Sequence, residues 1–405
     1  VVGCLFLFLA VLESSGYLAR AAFVVDALMR RLGLPGKAFV PMLMGFGCTV
    51  PAVMATRTLG SERERLMTSA MAPFMSCGAR LPVYALFAVA FFPESGQNLV
   101  FGLYLFGILV AVLTGLFLRS TLLPGKSDSM VMEMPDYEWP RPVDVGLRTW
   151  QKLKGFIFGA GKTIVLMVAV LSVLNSLGTD GSFGNQDQEN SVLSKLSQSV
   201  TQVLHPIGVR DDNWQATVGI VTGIFAKEAV VATLNSLYAG GAGDEEESEY
   251  SLLGSLKAAL ATIPANLADI DPADPMGLKV GDLEDKQAAA EAQEVDTSTY
   301  GHMQTHFDGV AGAFAYLLFV LLYMPCAAAM GALVRETGRQ CALFTAAWCN
   351  YVAFLCATLF YQLATFAAHP AQSLVWSLSY LLSLVLLWWL GRRHGDIVAR
   401  KVVTL

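Results

Sequence analysis

Residues 341–391 read CALFTAAWCNYVAFLCATLFYQLATFAAHPAQSLVWSLSYLLSLVLLWWLG and contain no Asp, Glu, Lys or Arg. A bilayer core requires about 20 apolar residues per helix, so these 51 residues are long enough for two membrane spans. The whole chain of 405 residues is 15% charged, against about 25% for a soluble domain, and its mean hydropathy is +0.51. The sequence therefore predicts an all-α polytopic membrane protein, and it excludes an ordinary soluble enzyme and a nucleic-acid-binding protein.

Apolar segments with few charges recur along the whole chain. They lie at about 1–19, 36–58, 66–93, 97–119, 156–178, 213–239, 309–334, 341–367 and 371–391. Since cytoplasmic loops retain Lys and Arg, we predict that the basic connections and the basic C-terminal tail are cytoplasmic. The connection 240–308 carries 15 acidic residues against three lysines, so we predict that it lies outside, in the periplasm.

Two of the apolar segments are not expected to cross the membrane. Segment 36–58 has basic loops on both sides, and segment 213–239 has acidic or neutral loops on both sides. Residues 41–51 of the first segment contain two prolines and two glycines, and residues 219–228 of the second contain two glycines and a charged pair. Irregular backbone at membrane depth is tolerated where it is buried in protein or lines a wet cavity. We therefore predict about seven spanning helices and two re-entrant broken segments, one entering from each face.

Short motifs recur in the same order in the two halves of the chain. The pairs are Leu9–Gly16 with Val170–Gly178, amphipathic stretches 21–32 with 190–205, Leu32–Leu34 with Ile207–Val209, Ala52–Thr56 with Val230–Thr233, and Met75–Ala79 with Met324–Ala328. Because the charge pattern places the two copies on opposite faces, they predict an inverted-topology repeat, as in many secondary transporters. In that architecture the substrate site lies near the bilayer midplane.

The repeat also predicts the organisation of the chain. A first unit at 1–123 contains spans, a cytoplasmic amphipathic helix and a re-entrant segment, and a cytoplasmic linker follows at 124–155. A second unit at 156–367 includes the periplasmic insert 240–308, and a final span with a cytoplasmic tail occupies 368–405. The chain begins in apolar sequence without a Met, so we expect that an upstream part is missing.

Sulfur-bearing residues lie beside the predicted breaks. Cys48 is in the first re-entrant segment, and Cys77 and Cys326 occupy equivalent positions of the repeat. Thiolates bind soft and borderline transition metals, so three such cysteines are candidates for a metal relay. Met44 and Met324 would add thioethers to the pathway. The alternative is that these cysteines and methionines pack as apolar residues.

Charged residues in apolar segments form the second group of candidates. Glu228 and its neighbour Lys227 lie in the second re-entrant segment, Arg80 follows Cys77, and Glu13 lies near the end of the first span. Intramembrane charges are costly, at about 2.5–3.5 kcal/mol at mid-helix, and usually face the bundle interior. We predict Glu228 and Glu13 as metal ligands and the two cations as pathway support. The alternative is a structural ion pair of Arg80 with either glutamate.

Six longer motifs carry a family resemblance. They are Glu13–Arg20 (ESSGYLAR), Gly45–Pro51 (GFGCTVP), Ala72–Pro82 (APFMSCGARLP), Asp212–Gly219 (DNWQATVG), Ala226–Glu228 (AKE) and Leu321–Cys326 (LLYMPC). Together they resemble the membrane domain of the bacterial ferrous iron transport protein B (FeoB) family. The resemblance runs through essentially the whole chain, and motifs of this length are specific.

The resemblance implies two inverted Gate units around a pathway for Fe²⁺ into the bacterial cytoplasm across the inner membrane. Its cysteine-lined pore would include Cys48, Cys77 and Cys326. It also implies, in the intact protein, an upstream GTPase domain that uses GTP and Mg²⁺ and is joined by one more span. The expected partners are the lipid bilayer, Fe²⁺, that domain and small cytosolic Feo proteins, with a homo-oligomer left open and no nucleic acid. GTP-binding motifs are absent from this chain, so we expect a transporter and no enzyme activity.

Two other functions remain as alternatives. A nucleoside or other small-solute carrier would use the same kind of broken-helix repeat, but its site should contain aromatic residues, Asn and Gln near the breaks. A membrane scaffold or receptor that transports nothing would not need broken, charged segments. The sulfur ligands alone do not separate iron from zinc or copper(I), so the choice of Fe²⁺ rests on the resemblance.

Overall fold

The protein is helical throughout the part of the chain that its structure describes. The structure is a computed structural model, and it describes residues 2–125, 136–184, 188, 190–239, 286–293 and 295–403. Two isolated β-bridges near residues 177–191 are the non-helical pairings in these ranges. The predicted all-α class is confirmed at this level. Most of the acidic insert, at 240–285, and part of the linker, at 126–135, lie outside the described residues.

The α-helices follow one another with short connections, several of which are single turns of 3₁₀ helix. In chain order the described helices are α1 (Val2–Ser14), α2 (Tyr17–Leu32), α3 (Phe39–Gly47), α4 (Thr49–Ala55), α5 (Glu62–Met71), α6 (Leu81–Phe91), α7 (Gly96–Ser120), α8 (Pro142–Phe156), α9 (Lys162–Ser176), α10 (Val192–Leu204), α11 (Trp214–Phe225), α12 (Ala229–Tyr238), α13 (Lys286–Gln293), α14 (Thr297–His306), α15 (Gly309–Leu322), α16 (Ala327–Ala364) and α17 (Pro370–Val403). A five-residue π-helical turn, Ile157–Gly161, joins α8 to α9.

Four helical stretches of the described chain are long and apolar enough to cross a membrane. They cover residues 62–91, 96–120, 309–364 and 370–393. The pair α1 and α2 would make a fifth, although its two helices meet at 81°. These stretches make the protein a multi-pass membrane protein. The predicted number of seven spans stays a prediction.

The stretch 309–364 is too long to be one straight span. At 1.5 Å per residue, 56 residues of helix would measure about 84 Å, far more than the ~30 Å of a bilayer core. It is interrupted between α15 and α16, and again at Gly338, whose backbone has φ 84° and ψ 163°. Gly338 lies in the gap between the predicted spans 309–334 and 341–367, so the break falls where the sequence predicts a change of direction.

The two predicted re-entrant segments are both built from short helices. The first consists of α3 and α4, with nine and seven residues, and the second of α11 and α12, with 12 and 10 residues. A helix of 12 residues is about 18 Å long, so none of the four could cross a bilayer alone. Both segments are broken, as predicted, whereas the faces from which they enter remain a prediction.

The core of the bundle forms around α6 and α15. Every residue from Val83 to Ala90 is buried, and so are all those from Ala315 to Leu322. The rings of Phe87 and Tyr316 stack at 5.1 Å between centroids. In the apolar stretch of α17, residues 370–393, Ser373 is the one buried residue. Since lipid tails are as apolar as leucine, this outer helix can face lipid without cost.

Basic residues from separate connections meet at one end of the bundle. Arg57, just after α4, forms a close ion pair with Glu336 on α16, and Arg65 donates to the Glu336 carbonyl at 2.9 Å. Lys152 on α8 pairs with Glu13 at 2.6 Å. These residues belong to the loops that the sequence assigns to the cytoplasm, so the predicted cytoplasmic loops share one end of the molecule.

Acidic residues gather around connections that are far in sequence from the basic ones. His205 contacts Asp211 at 2.5 Å, and Tyr361 donates to Asp308 at 2.6 Å. Together with Asp212 they line an open cavity of about 570 Å³. The loops that the sequence assigns to the outside therefore also lie together, and Asp211, Asp212 and Asp308 line this open cavity beside His205 and Arg210.

Gly208 is one position where the fold requires a glycine. It ends the turn after α10 with φ 86°, and a Cβ there would overlap the ring of Tyr361. Gly181 also has a positive φ, of 79°, but a Cβ at that position would meet nothing within 4 Å. An alanine at either position would strain the backbone, but only an alanine at Gly208 would also overlap a neighbouring side chain.

We predict that Gly208→Ala destabilises the protein more than Gly181→Ala. The strained φ alone is worth about 1–2 kcal/mol, and overpacking against Tyr361 adds about 1–3 kcal/mol. Thermal unfolding of the purified protein in detergent measures the difference, with Gly208→Ala melting at the lower temperature. Equal melting temperatures for the two variants would contradict the close packing of α10 against Tyr361.

Candidate functional site

Each of the three cysteines predicted to bind metal is a non-helical residue between two helical segments. Cys48 separates α3 from α4 with an extended backbone, at φ −156° and ψ 133°. Cys77 (φ −79°, ψ 158°) and Cys326 (φ −61°, ψ 160°) are both extended and each directly precedes a helical turn. The breaks thus leave each thiol at an end of a helix rather than within its regular hydrogen bonding.

Four of the five predicted metal ligands lie in one region of the structure, although they are not grouped closely enough to hold an ion together. Cys48 lies within electrostatic range of Cys77 and Cys326. Glu228 lies within range of both Cys48 and Cys326. The three cysteines are half-buried, and Glu228 is exposed. Among the described residues no group of three or more His, Cys, Asp or Glu side chains is close enough to hold a metal ion, so the four do not form a closed coordination sphere.

Arg80 is a buried cation that joins two of the breaks. Its side chain is 2% exposed, and its guanidinium donates to the carbonyls of Leu321 and Tyr323, at the end of α15, and to that of Pro73 at 3.3 Å. The last carbonyls of a helix have no partner within the helix and carry its negative dipole end. Arg80 therefore caps α15 and ties residues 73–80 to residues 321–323.

Lys227 is the second buried cation of the site. It is 4% exposed and lies in the turn between α11 and α12. Its Nζ is 4.2 Å from the centroid of the Tyr323 ring, and Arg80 lies 6.0 Å from the same centroid. Cys77 and Cys326 are within electrostatic range of Lys227. The site thus combines two positive charges with the predicted sulfur ligands.

The structure places Glu13 apart from the other predicted ligands. Its carboxylate pairs with Lys152 at the basic end of the bundle and is half-exposed. Arg80 binds backbone carbonyls, so the ion pair of Arg80 with Glu13 or Glu228, an alternative from the sequence, is not the arrangement that the described residues show. The physical reason is that α15 ends beside Arg80 and supplies acceptors that no sequence pattern reveals.

The two predicted methionines differ in their surroundings. Met44 is 8% exposed and packs with Phe6, Leu9 and neighbouring residues in a small apolar cluster. Met324 lies in the break after α15, is half-buried, and its backbone N–H donates to the Asn350 side chain at 3.2 Å. Met324 therefore lies beside the cysteine break, and Met44 contributes apolar packing to the helix before Cys48.

Sequence reasoning missed three residues that the structure adds to this region. The ring of Tyr323 faces both buried cations. The Asn350 side chain accepts a hydrogen bond from the backbone N–H of Met324. Cys349 is fully buried and lies within electrostatic range of Arg80 and Lys227. Asn350 could have been found from its sequence, because it is an isolated amide in a charge-free run. Cys349 carries no such signal, since its distance from the breaks along the chain hides its position.

An apolar cluster separates the cysteines from the basic end. Its buried members, from α4 and α16, are Val50, Val53, Ala328, Ala329, Ala332, Leu333 and Ala342, and Cys48 and Cys326 pack against it. Each helix runs from its cysteine through this cluster to the Arg57–Glu336 ion pair. A cavity of about 70 Å³ beside that pair is lined in part by Arg335 and Phe156. Apolar packing and one ion pair therefore lie between Cys48 and Cys326 and the basic end of the bundle.

Short broken helices that bring thiols and buried cations together define a multi-pass membrane protein with a polar site inside its helical bundle. Two sequence families match this chain. The Gate family, described as nucleoside recognition, matches residues 1–91 and 157–340, and the family described as ferrous iron transport protein B C terminus matches residues 100–152.

Comparison with individual proteins points to the same family as the second of these matches. Proteins named Fe(2+) transporter FeoB from Legionella pneumophila (strain Lens) and Escherichia coli (strain K12) are both 46% identical to this chain, over 95% and 97% of its length. A protein of that name from Shigella flexneri is 46% identical over 94%. The chain spans about half the length of these relatives. No solved structure is significantly similar. The chain belongs to the ferrous iron transport protein B (FeoB) family.

We predict that Arg80→Lys destabilises the protein although it keeps the positive charge. A lysine ammonium cannot reach three carbonyls with the planar geometry of a guanidinium, and each lost bond to a charged donor is worth about 1.5–3 kcal/mol. Thermal unfolding in detergent should show a clearly lower melting temperature. The matched control is Arg210→Lys on the exposed acidic end, which should leave it unchanged. If both variants melt like the parent protein, Arg80 does not cap α15.

Proposed function

We propose that this chain forms the membrane pathway through which Fe²⁺ enters the bacterial cytoplasm across the inner membrane. The proposal rests on the position of Cys48, Cys77 and Cys326 at breaks between helices, with Glu228 in electrostatic range of two of them. The chain is also 46% identical to proteins named Fe(2+) transporter. Thiolates and carboxylates are suitable ligands for a first-row divalent ion. The choice of iron among such metals comes from the names of the relatives.

The proposed architecture is an inverted repeat of two Gate units, 1–123 and 156–367, with a cytoplasmic linker at 124–155 and a final span and tail at 368–405. The order of elements supports it. Amphipathic α2 and α10 are each followed by a glycine of positive φ, Gly33 at 81° and Gly208 at 86°. In each half a pair of short helices follows, and then an extended cysteine before the next helical turn. We propose seven spans and two re-entrant segments, with the insert 240–308 in the periplasm.

The proposed route begins at the acidic end and leaves at the basic end. The open cavity is lined by three carboxylates, Asp211, Asp212 and Asp308, and by one arginine, Arg210, which pairs with Asp212 at 3.3 Å. The excess of negative charge would raise the local concentration of cations. The ion would then meet Glu228 and the sulfurs. A membrane potential of −100 mV contributes about 4.6 kcal/mol to inward movement of a divalent ion, twice the roughly 2.3 kcal/mol per charge. Uptake can therefore run downhill, and the exit at the Arg57–Glu336 pair has to open.

Control of that exit is the role we propose for the rest of the protein. In the intact molecule an N-terminal GTPase domain, using GTP and Mg²⁺, would act as the gate from the cytoplasmic side. Small cytosolic Feo proteins and further copies of the chain are the proposed partners, and the C-terminus would be cytoplasmic. The linker 124–155 would lie on that side too, where Lys152 already contacts Glu13.

A small-solute carrier is the second candidate, because the matching Gate family is described as nucleoside recognition. Tyr323 and Asn350, which lie at the break before Cys326, are the aromatic and amide groups that an organic solute would use. Such a carrier would not need three cysteines and a glutamate beside them. Uptake of a labelled nucleoside by the same proteoliposomes separates this candidate from iron transport.

We predict that replacing Cys48, Cys77 and Cys326 together by serine reduces Fe²⁺ uptake at least about tenfold, because a hydroxyl is a much poorer ligand than a thiolate. The measurement is iron entry into proteoliposomes that contain the full-length protein. Cys341→Ser is the matched control, since that cysteine is buried outside the site, and it should keep the parent rate. Unchanged uptake by the triple variant would exclude the sulfur pathway.

We also predict that the acidic and basic ends of the bundle lie on opposite sides of the membrane. Asp211→Cys and Arg148→Cys place a thiol at an exposed residue of each end. A membrane-impermeant maleimide added to spheroplasts should label Asp211→Cys above the background of the parent protein. Arg148→Cys should react only after the membrane is permeabilised. Labelling of both from the same side would contradict the proposed orientation.

A further inference from the structure

Lys227 has surroundings that do not explain why a charge is buried there. Its side chain is 4% exposed, and among the described residues its Nζ has no hydrogen-bond partner. The described contact of the ammonium is the face of Tyr323, at 4.2 Å from the ring centroid. A single cation–π contact does not replace the hydration that an ammonium loses on burial. A methionine would fill this position at a lower energetic cost, so stability alone does not account for the lysine.

The neighbours of Lys227 increase this cost. Arg80 faces the same tyrosine ring and lies within electrostatic range, so two buried positive charges repel one another. Glu228, the adjacent carboxylate, is exposed and does not pair with it. The groups near Lys227 that can carry negative charge include the thiols of Cys77, Cys326 and Cys349. The ammonium therefore lies among the sulfur ligands proposed for the metal ion.

The backbone around Lys227 lets its side chain move without the loss of a helix. α11 ends at Phe225 and α12 begins at Ala229, so the lysine belongs to a turn. Ala226, the residue before it, is extended, with φ −142° and ψ 104°. Rotation about the bonds of the four-carbon side chain would carry the ammonium away from the sulfurs while both helices keep their hydrogen bonds.

We propose that Lys227 is a tethered cation that takes the place of the metal ion in the empty pathway. Its ammonium occupies the region of the cysteine site while no ion is present. An entering divalent ion displaces it, and its return repels the ion toward the exit. The inference rests on the proposed pathway and adds a specific role to it. Lys227 is thus a positioning residue that weakens metal binding and speeds metal release.

If Lys227 has this role, Lys227→Met should strengthen metal binding and slow metal transport. Without the competing charge, the purified protein should bind Co²⁺, a spectroscopic probe of thiolate ligation, at least about tenfold more tightly, because one charge beside a divalent ion is worth more than that at short range. Fe²⁺ uptake into proteoliposomes by the full-length variant should fall, since release becomes slow. The melting temperature should rise, because a buried unpaired charge has been removed.

Two further variants separate charge from shape. Lys227→Arg keeps a positive charge on a long side chain and should bind Co²⁺ about as weakly as the parent protein. Lys195→Met makes the same substitution at an exposed lysine of α10 and should change neither binding nor uptake. A structural role for Lys227 would lower the melting temperature and the uptake together and would not tighten binding.

The outcomes distinguish this inference from the pathway on which it rests. If the parent protein binds Co²⁺, the triple cysteine variant does not, and Lys227→Met binds with unchanged or lower affinity, the tethered cation is wrong and the sulfur pathway stands. If the parent protein gives no thiolate signal with Co²⁺, both proposals are overturned. Tighter binding with slower uptake in Lys227→Met, and not in Lys227→Arg, supports the role.

Discussion

The contact on which this membrane interior depends is the one between the Arg80 guanidinium and the carbonyls at the end of α15. A helix that ends inside a bilayer leaves several carbonyls without partners, and no water is present in the hydrocarbon to satisfy them. A planar cation with five N–H donors is the side chain best suited to bind several carbonyls at once. Because Arg80 comes from the break after Cys77 and its acceptors come from the break before Cys326, the same contact sets the distance between the two cysteines.

The site that results is electrostatically unusual for the cation pathway that we propose. Arg80 and Lys227 are both buried beside Tyr323, and the nearby glutamate is exposed. Two positive charges would exclude a divalent ion if they were permanent neighbours of its path. Arg80 is held by three carbonyls and is part of the fold, whereas Lys227 is held by one ring face. The difference in anchoring distinguishes a structural cation from a movable one.

Much of the architecture followed from the pattern of residues. The helical class, the break at Gly338 and the two broken short segments agree with the apolar periodicity and with the positions of Pro and Gly. The positions of Cys48, Cys77 and Cys326 at helix breaks were also predictable, because each cysteine has a Gly or Pro directly beside it in the sequence. The position of Glu13 was not, since its partner Lys152 lies 139 residues away in the chain. The roles of Tyr323 and Cys349 were hidden for the same reason.

The sequence by itself determined that this is a membrane protein, and it determined the positions at which its helices break. Both follow from local chemistry: apolar runs of sufficient length, loops with an excess of one charge, and residues that cannot continue a helix. Only the tertiary structure decided what each charge in an apolar segment does. The energy of a charge in a low-dielectric interior depends on the atoms within a few ångströms of it, and these come from distant parts of the chain. Arg80 became a helix cap, Glu13 a surface ion pair and Lys227 a cation among thiols for that reason.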